Sequence, residues 1–360
     1  MNKIPIGVIG ATGYVGQRFV QLLQDHPYFE LVKLAASKSS AGKTYRETLE
    51  GRQMHFLKLI DSIASIRVEE VTPETAEAFA QDIRLVFCAV DMAKEDIIAL
   101  EEALARAELV VISNNSANRM TEDVPMLIPE INIDHLEIIE SQRERLGSEK
   151  GFILCKPNCS IQSYVPALHA LREFGIEEVF VSTYQAISGA GKTFETWPEA
   201  RDNVIPFISG EEEKSEREPM KIWGKVQGKK IESATNPKIS AHCYRVGVEE
   251  GHMAAVTVKF TNKPSPEEIL QAWETYSSQA QHLNLPHAPQ KFLHYMEAQD
   301  RPQSKLDAQN DKGMGVMISR LRPDHILDYK FTCLSNNTLR GAAGGAVLSA
   351  ELLYRLGYLD

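Results

Sequence analysis

One cysteine in this chain sits where a cysteine could do chemistry. In Lys156-Pro157-Asn158-Cys159-Ser160 an apolar run, Gly151 to Leu154, leads in, and a helical pattern from Ser163 to Phe174 leads out. Proline is rare inside a helix and asparagine is a good N-cap, so Cys159 is expected at the first turn of a helix. Unpaired N–H groups there favour thiolate over thiol, and the thiolate is the nucleophile. Cysteines are more often small buried hydrophobes, and Pro166 falls inside the expected helix and shortens or kinks it. A nucleophilic Cys159 therefore needs support from elsewhere in the chain.

The first support is a place for a dinucleotide. The apolar run Ile6 to Ile9 meets Gly10-Ala11-Thr12-Gly13-Tyr14-Val15-Gly16, and a helical pattern with Phe19, Val20, Leu22 and Leu23 follows. Strand, glycine turn and helix permit close backbone approach to phosphate at a helix N-terminus, although the spacing is G-x-x-G-x-x-G. A second strand is expected over 30–36. It ends in Ser37-Lys38-Ser39-Ser40-Ala41-Gly42-Lys43, which offers hydroxyls and lysines and no carboxylate. A carboxylate there selects NAD, and its absence beside cations favours the 2′-phosphate of NADP. Further strands at 85–90 and 109–116 place Ala89, Ser113 and Asn114 at strand ends, where ligands of such sheets bind. Arg119, in the polar loop that follows, either holds a ligand anion or faces solvent.

The second support is an acid/base. A thiolate that attacks an aldehyde gives a thiohemiacetal, hydride leaves to the nicotinamide, and a thioester remains; the reverse reduces an acyl group. Either direction needs a proton-transfer group, and His252 is the candidate. It lies between two alternating runs, 243–248 and 253–260, which are expected to pair as an antiparallel hairpin carrying Arg245 and His252 near its turn. Ser188-Gly189-Ala190-Gly191 is a turn free to approach a ligand. Glu211 and Lys214 are further ionic anchors, though the charge cluster at 211–214 also suits a solvated face. Residues 294–314 read as a polar loop or excursion. The small residues at 341–345 suit a last helix packed on the first domain.

These elements describe an α/β chain. A Rossmann-type NADP-binding domain is expected over 1–158, rejoined by a C-terminal helix over 338–360, with an α+β catalytic and substrate domain over 159–337, mostly antiparallel. Its 360 residues carry a net charge of −10, which disfavours nucleic acid as a partner. No apolar run reaches a membrane span, and the amino terminus lacks a signal peptide's apolar core. Five cysteines without a CxxC pair give no zinc pattern, and no metal is expected. A reducing cytoplasm fits them.

Several stretches together resemble aspartate-semialdehyde dehydrogenases of the archaeal and fungal branch: GATGYVGQ (10–17), AASKSSAGK (35–43), IPEIN (128–132), KPNCS (156–160), YQAISGAGK (184–192), PFISGEEEK (206–214), RVGVEEGH (245–252) and NTLRGAAGG (337–345). The resemblance spans nearly the whole chain. It implies a second domain like that of glyceraldehyde-3-phosphate dehydrogenase. It also implies NADPH-dependent reductive dephosphorylation of L-aspartyl 4-phosphate to L-aspartate 4-semialdehyde, on the route to lysine, threonine and methionine. Cys159 would be the nucleophile, His252 the acid/base and Gln185 the active-site glutamine. Arg245 would bind the substrate carboxylate and Glu211 its ammonium, by an E-x-x-K spacing that leaves Glu212 and Glu213 open. Arg119 and Lys214 would hold phosphate, and Asn158 and Ser160 flank the nucleophile. Gly10, Thr12, Gly13, Tyr14, Val15, Gly16, Ser37, Lys38, Ser40 and Ala89 would serve NADP, with Ser188, Gly189 and Asn337 near the nicotinamide. A homodimer or homotetramer is implied. The related alternatives are a malonyl-CoA reductase and an N-acetyl-γ-glutamyl-phosphate reductase, neither of which needs an ammonium anchor. A non-catalytic NADP-binding sensor is the alternative outside enzymes.

Overall fold

The computed structural model describes residues 3–360; Met1 and Asn2, part of the amino-terminal reading, lie outside the described residues. Six strands form the first sheet: Ile4–Ile9 (β1), Phe29–Ala35 (β2), Val68–Glu69 (β3), Leu85–Cys88 (β4), Val110–Ser113 (β5) and Phe152–Cys155 (β6). Their order is β3-β2-β1-β4-β5-β6, and every pairing is parallel. β4, β5 and β6 are buried along their whole length, as unbroken apolar runs require when helices cover both faces. Helix Tyr14–Leu23 (α1) follows β1, and helix Lys94–Arg106 (α2) follows β4. The strand order reverses between β1 and β4, which is where a doubly wound sheet opens a crevice for a ligand.

A second sheet holds Ile176–Gln185 (β7), Val204–Ile205 (β8), Lys238–Val246 (β11), His252–Phe260 (β12), Leu293–Met296 (β13), Val316–Pro323 (β14) and Tyr329–Ser335 (β15). A separate ribbon pairs Lys225–Gln227 (β9) with Lys230–Glu232 (β10). The seven strands run in the order β13-β14-β15-β12-β7-β11-β8. Four of the six pairings are antiparallel. Helices Glu211–Ile222 (α3) and Pro266–Thr275 (α4) intervene between strands. Ile222, Ile269 and Trp273 share a core with Val179, Val181, Ala254 and Val256. The alternation of β7 and β12 follows from covering one face only.

The expected hairpin is corrected. β7 lies between β11 and β12, parallel to the first and antiparallel to the second. Residues 247–251 therefore step across the end of β7. Inserting the ten-residue β7 satisfies both of its edges, which a hairpin would have left partly unpaired. Gln185, Arg245 and His252 consequently meet at one end of the sheet, with Arg245 paired to Gln185. The reading of 294–314 as a loop or excursion is corrected only at its start, which lies within β13, an edge strand parallel to β14; from 297 on it is loop with short helical turns at Ser304–Asp307 and Asn310–Gly313. The charge cluster at 211–214 is the first turn of α3, and Glu211 is only 7% exposed.

The C-terminal helix Ala343–Arg355 (α5) packs on α1, and its Ala346, Val347 and Ala350 join the core of Val8, Phe19 and Leu34. No helix among the described residues is long and apolar enough to cross a membrane.

Candidate active site

The chain after β6 does not form the continuous helix expected from 163 to 174. Ser160–Ser163 is a 3-10 turn with Cys159 at its N-cap, Val165–His169 is a five-residue helix, and Arg172–Phe174 is another 3-10 turn. Pro166 cannot donate to the preceding turn, so it opens a new piece instead. Asn158 acts one residue before the cap: its Oδ1 accepts from the Ser160 N–H at 2.8 Å and from the Ser160 hydroxyl at 2.7 Å. A four-residue 3-10 turn carries little macrodipole, so the expected activation by a helix end is corrected. Burial, and next the Glu211 carboxylate, push the Cys159 thiol up to about 11, while Arg119, Arg245 and Lys156 pull it down. Cys159 is partly exposed; the other four cysteines are buried.

His252 Nε2 lies 3.4 Å from Cys159 Sγ. The Ala186 N–H donates to His252 Nδ1 at 3.0 Å. A backbone N–H can only donate, so Nδ1 holds a lone pair and the proton of the neutral ring is on Nε2. Burial, and next Arg245, hold His252 well below the ordinary imidazole range. The ring thus presents a hydrogen-bond donor to the sulfur, a partner for thiolate or for an oxyanion beside it.

Cys159, Gln185, Arg245, Glu211, Lys214, Arg119 and Asn158 line one cleft of about 250 Å³, together with Val15, Ser188, Gly189 and Asn337. Glu211 turns into it and accepts from Asn158 Nδ2 (3.0 Å), Gln185 Nε2 (3.2 Å) and Lys214 Nζ (2.9 Å). Burial pushes its carboxyl up, but Lys214, Asn158 and Gln185 outweigh burial and hold it below the ordinary value. Glu213 is exposed, and Glu212 accepts from the Cys243 N–H on β11. Arg245 Nη1 donates to Ala186 O at 2.8 Å. A Cβ on Gly189 would lie 2.9 Å from both Arg245 Nη1 and His252 Nε2, so a larger residue there would have to move those two side chains. Ser160 is buried beneath Asn158 and does not line the cleft.

The residues expected to hold a dinucleotide lie mainly in the turns after β1 and β2, and of these turns Val15 lines the cleft. Gly10 has φ +82, and a Cβ there would meet the Ala89 carbonyl oxygen at 2.0 Å. A Cβ on Gly16 would meet Gly10 O at 2.0 Å, whereas Gly13 is exposed. α1 has neither a side-chain cap nor an acidic residue in its first turn, so its N–H groups remain for an anion. Thr12 and Tyr14 lie in this turn, and Val15 reaches the cleft of Cys159. Ser37 and Lys38 are exposed at the end of β2, while Ser40 turns inward and accepts from Arg52 Nη2 at 3.2 Å. Asn337 donates to the Ser188 hydroxyl at 2.9 Å and accepts from the Gly251 N–H at 2.8 Å. The uncapped helix and the cation at the strand end fit a dinucleotide with a 2′-phosphate.

Two glutamates carry no assignment from the sequence. Glu218 accepts from Arg119 Nη1 at 2.9 Å and from the Asn158 N–H at 2.6 Å. Its spacing from Glu211, two helical turns along one face, is the signal that could have found it. Glu250 accepts from Tyr14, Arg18, Thr338, Asn336 and Gln309, side chains of three distant segments that no local pattern connects. Asn114 and Ser116 also line the cleft, as do Thr338, Gly341 and Ala342. Among the described residues His26, His287 and Glu351 group as metal ligands would. The Tyr28 N–H donates to His26 Nδ1, however, so His26 holds its proton on Nε2 and donates it to Glu351 at 2.9 Å. Hydrogen bonds close that cluster.

Comparison with known proteins agrees with this geometry. Residues 5–139 match the family model described as semialdehyde dehydrogenase, NAD binding domain, and residues 168–340 match semialdehyde dehydrogenase, dimerisation domain. The chain is 42% identical to an aspartate-semialdehyde dehydrogenase of Archaeoglobus fulgidus, with 98% of each chain covered. It is 40% identical to that of Aspergillus fumigatus, with 99% of each covered. The crystal structure of the Candida albicans enzyme with NADP superposes with a TM-score of 0.88 at 36% identity, covering 99% of this chain and 100% of that one. With nucleotide turn, cysteine–histidine pair and full-length relatives in agreement, the chain belongs to the aspartate-semialdehyde dehydrogenase family.

Proposed function

We propose that this protein catalyses the NADPH-dependent reductive dephosphorylation of L-aspartyl 4-phosphate to L-aspartate 4-semialdehyde through a thioester on Cys159. The observation that carries the reading is one cleft in which Cys159 lies 3.4 Å from His252 while Val15 of the glycine turn lines the same space. NADPH, when bound there, supplies the hydride. Cys159 attacks as the thiolate: the S–C bond forms, the C–O bond to phosphate breaks, and phosphate leaves with the charge. His252 Nε2–H donates to sulfur while it is a thiolate and to the oxyanion formed on the adjacent carbon. Arg245 offers a guanidinium for the α-carboxylate. Glu211, turned into the cleft, pairs with the α-ammonium and displaces Lys214 in doing so. That anion separates this substrate from malonyl-CoA and from an N-acylated amino acid, which bring no cation. Arg119 and the released Lys214 hold phosphate. Ser37 and Lys38 receive the 2′-phosphate of NADP, and Gly189 and Asn337 flank the nicotinamide.

The open face of the second sheet exposes Phe180 (50%) and Tyr184 (37%), with Tyr244 stacked on Tyr184 at 5.8 Å. Such an apolar patch suits a second copy of the chain, in a cytoplasmic homodimer or, with a further interface, a homotetramer. Sedimentation of Phe180→Glu against the parent tests that face.

The activity is tested by NADPH formation from L-aspartate semialdehyde and NADP, with and without phosphate, beside Cys159→Ala. Phosphate-dependent turnover that falls by about 10⁴ or more in the variant is expected. Turnover with malonyl-CoA and NADPH in its place would move the reading to that reaction. Failure with both substrates, in a protein that binds NADP, would move it to the sensor.

A further inference from the structure

Glu218 takes no part in the chemistry above, yet it touches two of the groups that do. It is 3% exposed and lies on α3 seven residues after Glu211, two turns along the same face. One carboxylate oxygen accepts from Arg119 Nη1 at 2.9 Å, and the other accepts from the Asn158 backbone N–H at 2.6 Å. Arg119 comes from the loop after β5 and Asn158 from the turn after β6, whereas Glu218 belongs to the layer of the second sheet. Glu211 grips the same asparagine by its amide. α3 therefore holds Asn158 by side chain and by backbone at once, one residue before the nucleophile.

Arg119 is fixed as firmly. Its Nη2 donates to Asn114 O at 3.1 Å, while its Nε is buried without a partner, and its side chain lines the cleft. A guanidinium anchored at two nitrogens with a buried donor to spare is arranged for an anion. We propose that Glu218 is a positioning residue: it sets the Arg119 guanidinium and the Cys159 turn in register with each other, so that phosphate meets a cation already aimed at the thiol. The inference rests on the reading of Arg119 as a phosphate ligand. Without Glu218 the long arginine side chain gains rotamers that phosphate binding must then remove.

The test is steady-state kinetics in the phosphorylating direction on Glu218→Gln, Arg119→Lys and the double variant. Glutamine keeps an acceptor for the Asn158 N–H but faces Arg119 without charge. The KM for phosphate is expected to rise about tenfold or more, the size of a lost charge-assisted hydrogen bond, with the KM for NADP within about twofold. In the double variant the phosphate KM is expected to match that of Arg119→Lys alone, since the two residues act through one contact. If Arg119→Lys raises the phosphate KM and Glu218→Gln leaves or lowers it, the positioning role is overturned while the phosphate reading stands. If Arg119→Lys leaves it unchanged, both fall. A parallel rise in the KM for NADP would show a general structural role and overturn the proposal as well. Glu218→Asp keeps the charge but is one methylene shorter, so it cannot hold Arg119 and the Asn158 N–H in register at once. Should the glutamine variant fail to fold, the aspartate variant carries the same test, with an expected rise of about threefold in phosphate KM alone; no such rise overturns the role.

Discussion

The turn after β1 and the turn after β6 leave one parallel sheet at the carboxyl ends of its strands, and they are held by different kinds of contact. The first is made mainly of backbone, with side-chain donors from Tyr45 to Ala11 O and from Gln17 to Thr12 O. Gly10 and Ala11 donate to Ala35 O at 2.9 and 3.0 Å, Gly13 donates to Gly10 O, and the close approaches are to main-chain atoms of Ala89 and Gly10. The second is made of side chains from far along the chain. Glu211 and Glu218 hold Asn158, and Gly341 lets α5's leading loop come so near that a Cβ there would lie 2.8 Å from Cys159 Cβ. A backbone turn presents donors whatever its neighbours do. A side-chain turn depends on groups that also answer to substrate.

The largest expected effect breaks the first turn alone. Gly10→Ala places a Cβ 2.0 Å from a carbonyl oxygen at φ +82, so neither a rotamer change nor a relaxed φ relieves it. Overlap and strain together are expected to cost about 4 kcal/mol and to abolish NADP binding. Urea denaturation and cofactor titration measure both. A loss below 1 kcal/mol would mean that the turn yields, and the contrast with the second turn would weaken.

Breaking the second turn is expected to separate binding from rate. Asn158→Ala removes the donor to Glu211 and the acceptor for Ser160. The stability loss is expected near 2 kcal/mol. Turnover is expected to drop about a hundredfold because the nucleophile loses its placement, with NADP affinity within twofold. Cofactor affinity falling in step with turnover would show that the two turns are one unit.

This difference explains what the sequence makes legible. Gly10, Gly13 and Gly16 after an apolar run mark a turn because the constraint is local, and β4, β5 and β6 declare themselves as unbroken apolar runs. His252 and Arg245 were legible as residues but their strands were not legible as neighbours, because β7 enters between them from sixty residues earlier. Glu250 was unreadable for a similar reason, since its partners are long-range, while Glu218 offered only its spacing from Glu211 on one helix face. Cys159 was found for a reason that does not survive in the structure, since a helix end was expected and Pro166 breaks the helix. The proposal of Cys159 as nucleophile rests instead on the resemblance of its motif and on its 3.4 Å approach to His252.

His252 sharpens the contrast through pH. Burial and Arg245 hold it well below the ordinary imidazole range, while the unfolded chain takes up its proton near pH 6.5. Below that pH the unfolded state binds more protons, so stability falls as pH drops, by up to about 1.4 kcal/mol per unit, and His252 contributes nothing to the slope well above pH 7. In His252→Asn this slope is absent. Denaturation at pH 7, 6 and 5 is expected to show the parent losing more stability than the variant over that window. A parallel loss would mean that the ring titrates alike in both states.

The smallest expected effect bears on what keeps the second turn quiet. The Cys159 thiol is pushed up to about 11, first by burial and next by Glu211. Glu211→Gln removes that anion and leaves Arg119, Arg245 and Lys156 to pull the thiol down. A fall of one unit gives about ten times more thiolate below the pKa, but intrinsic reactivity drops about threefold with basicity. Alkylation of Cys159 by iodoacetamide at pH 8 is therefore expected to quicken only about threefold, even as turnover with the aminated substrate falls. A substrate ammonium beside Glu211 does to the parent what glutamine does to the variant. An amino-acid analogue lacking the aldehyde is thus expected to quicken alkylation in the parent and to leave Glu211→Gln unchanged. If Glu211→Gln instead slows alkylation, Glu211 acts on Cys159 mainly through its grip on Asn158, and the charge of the second turn matters less than its placement.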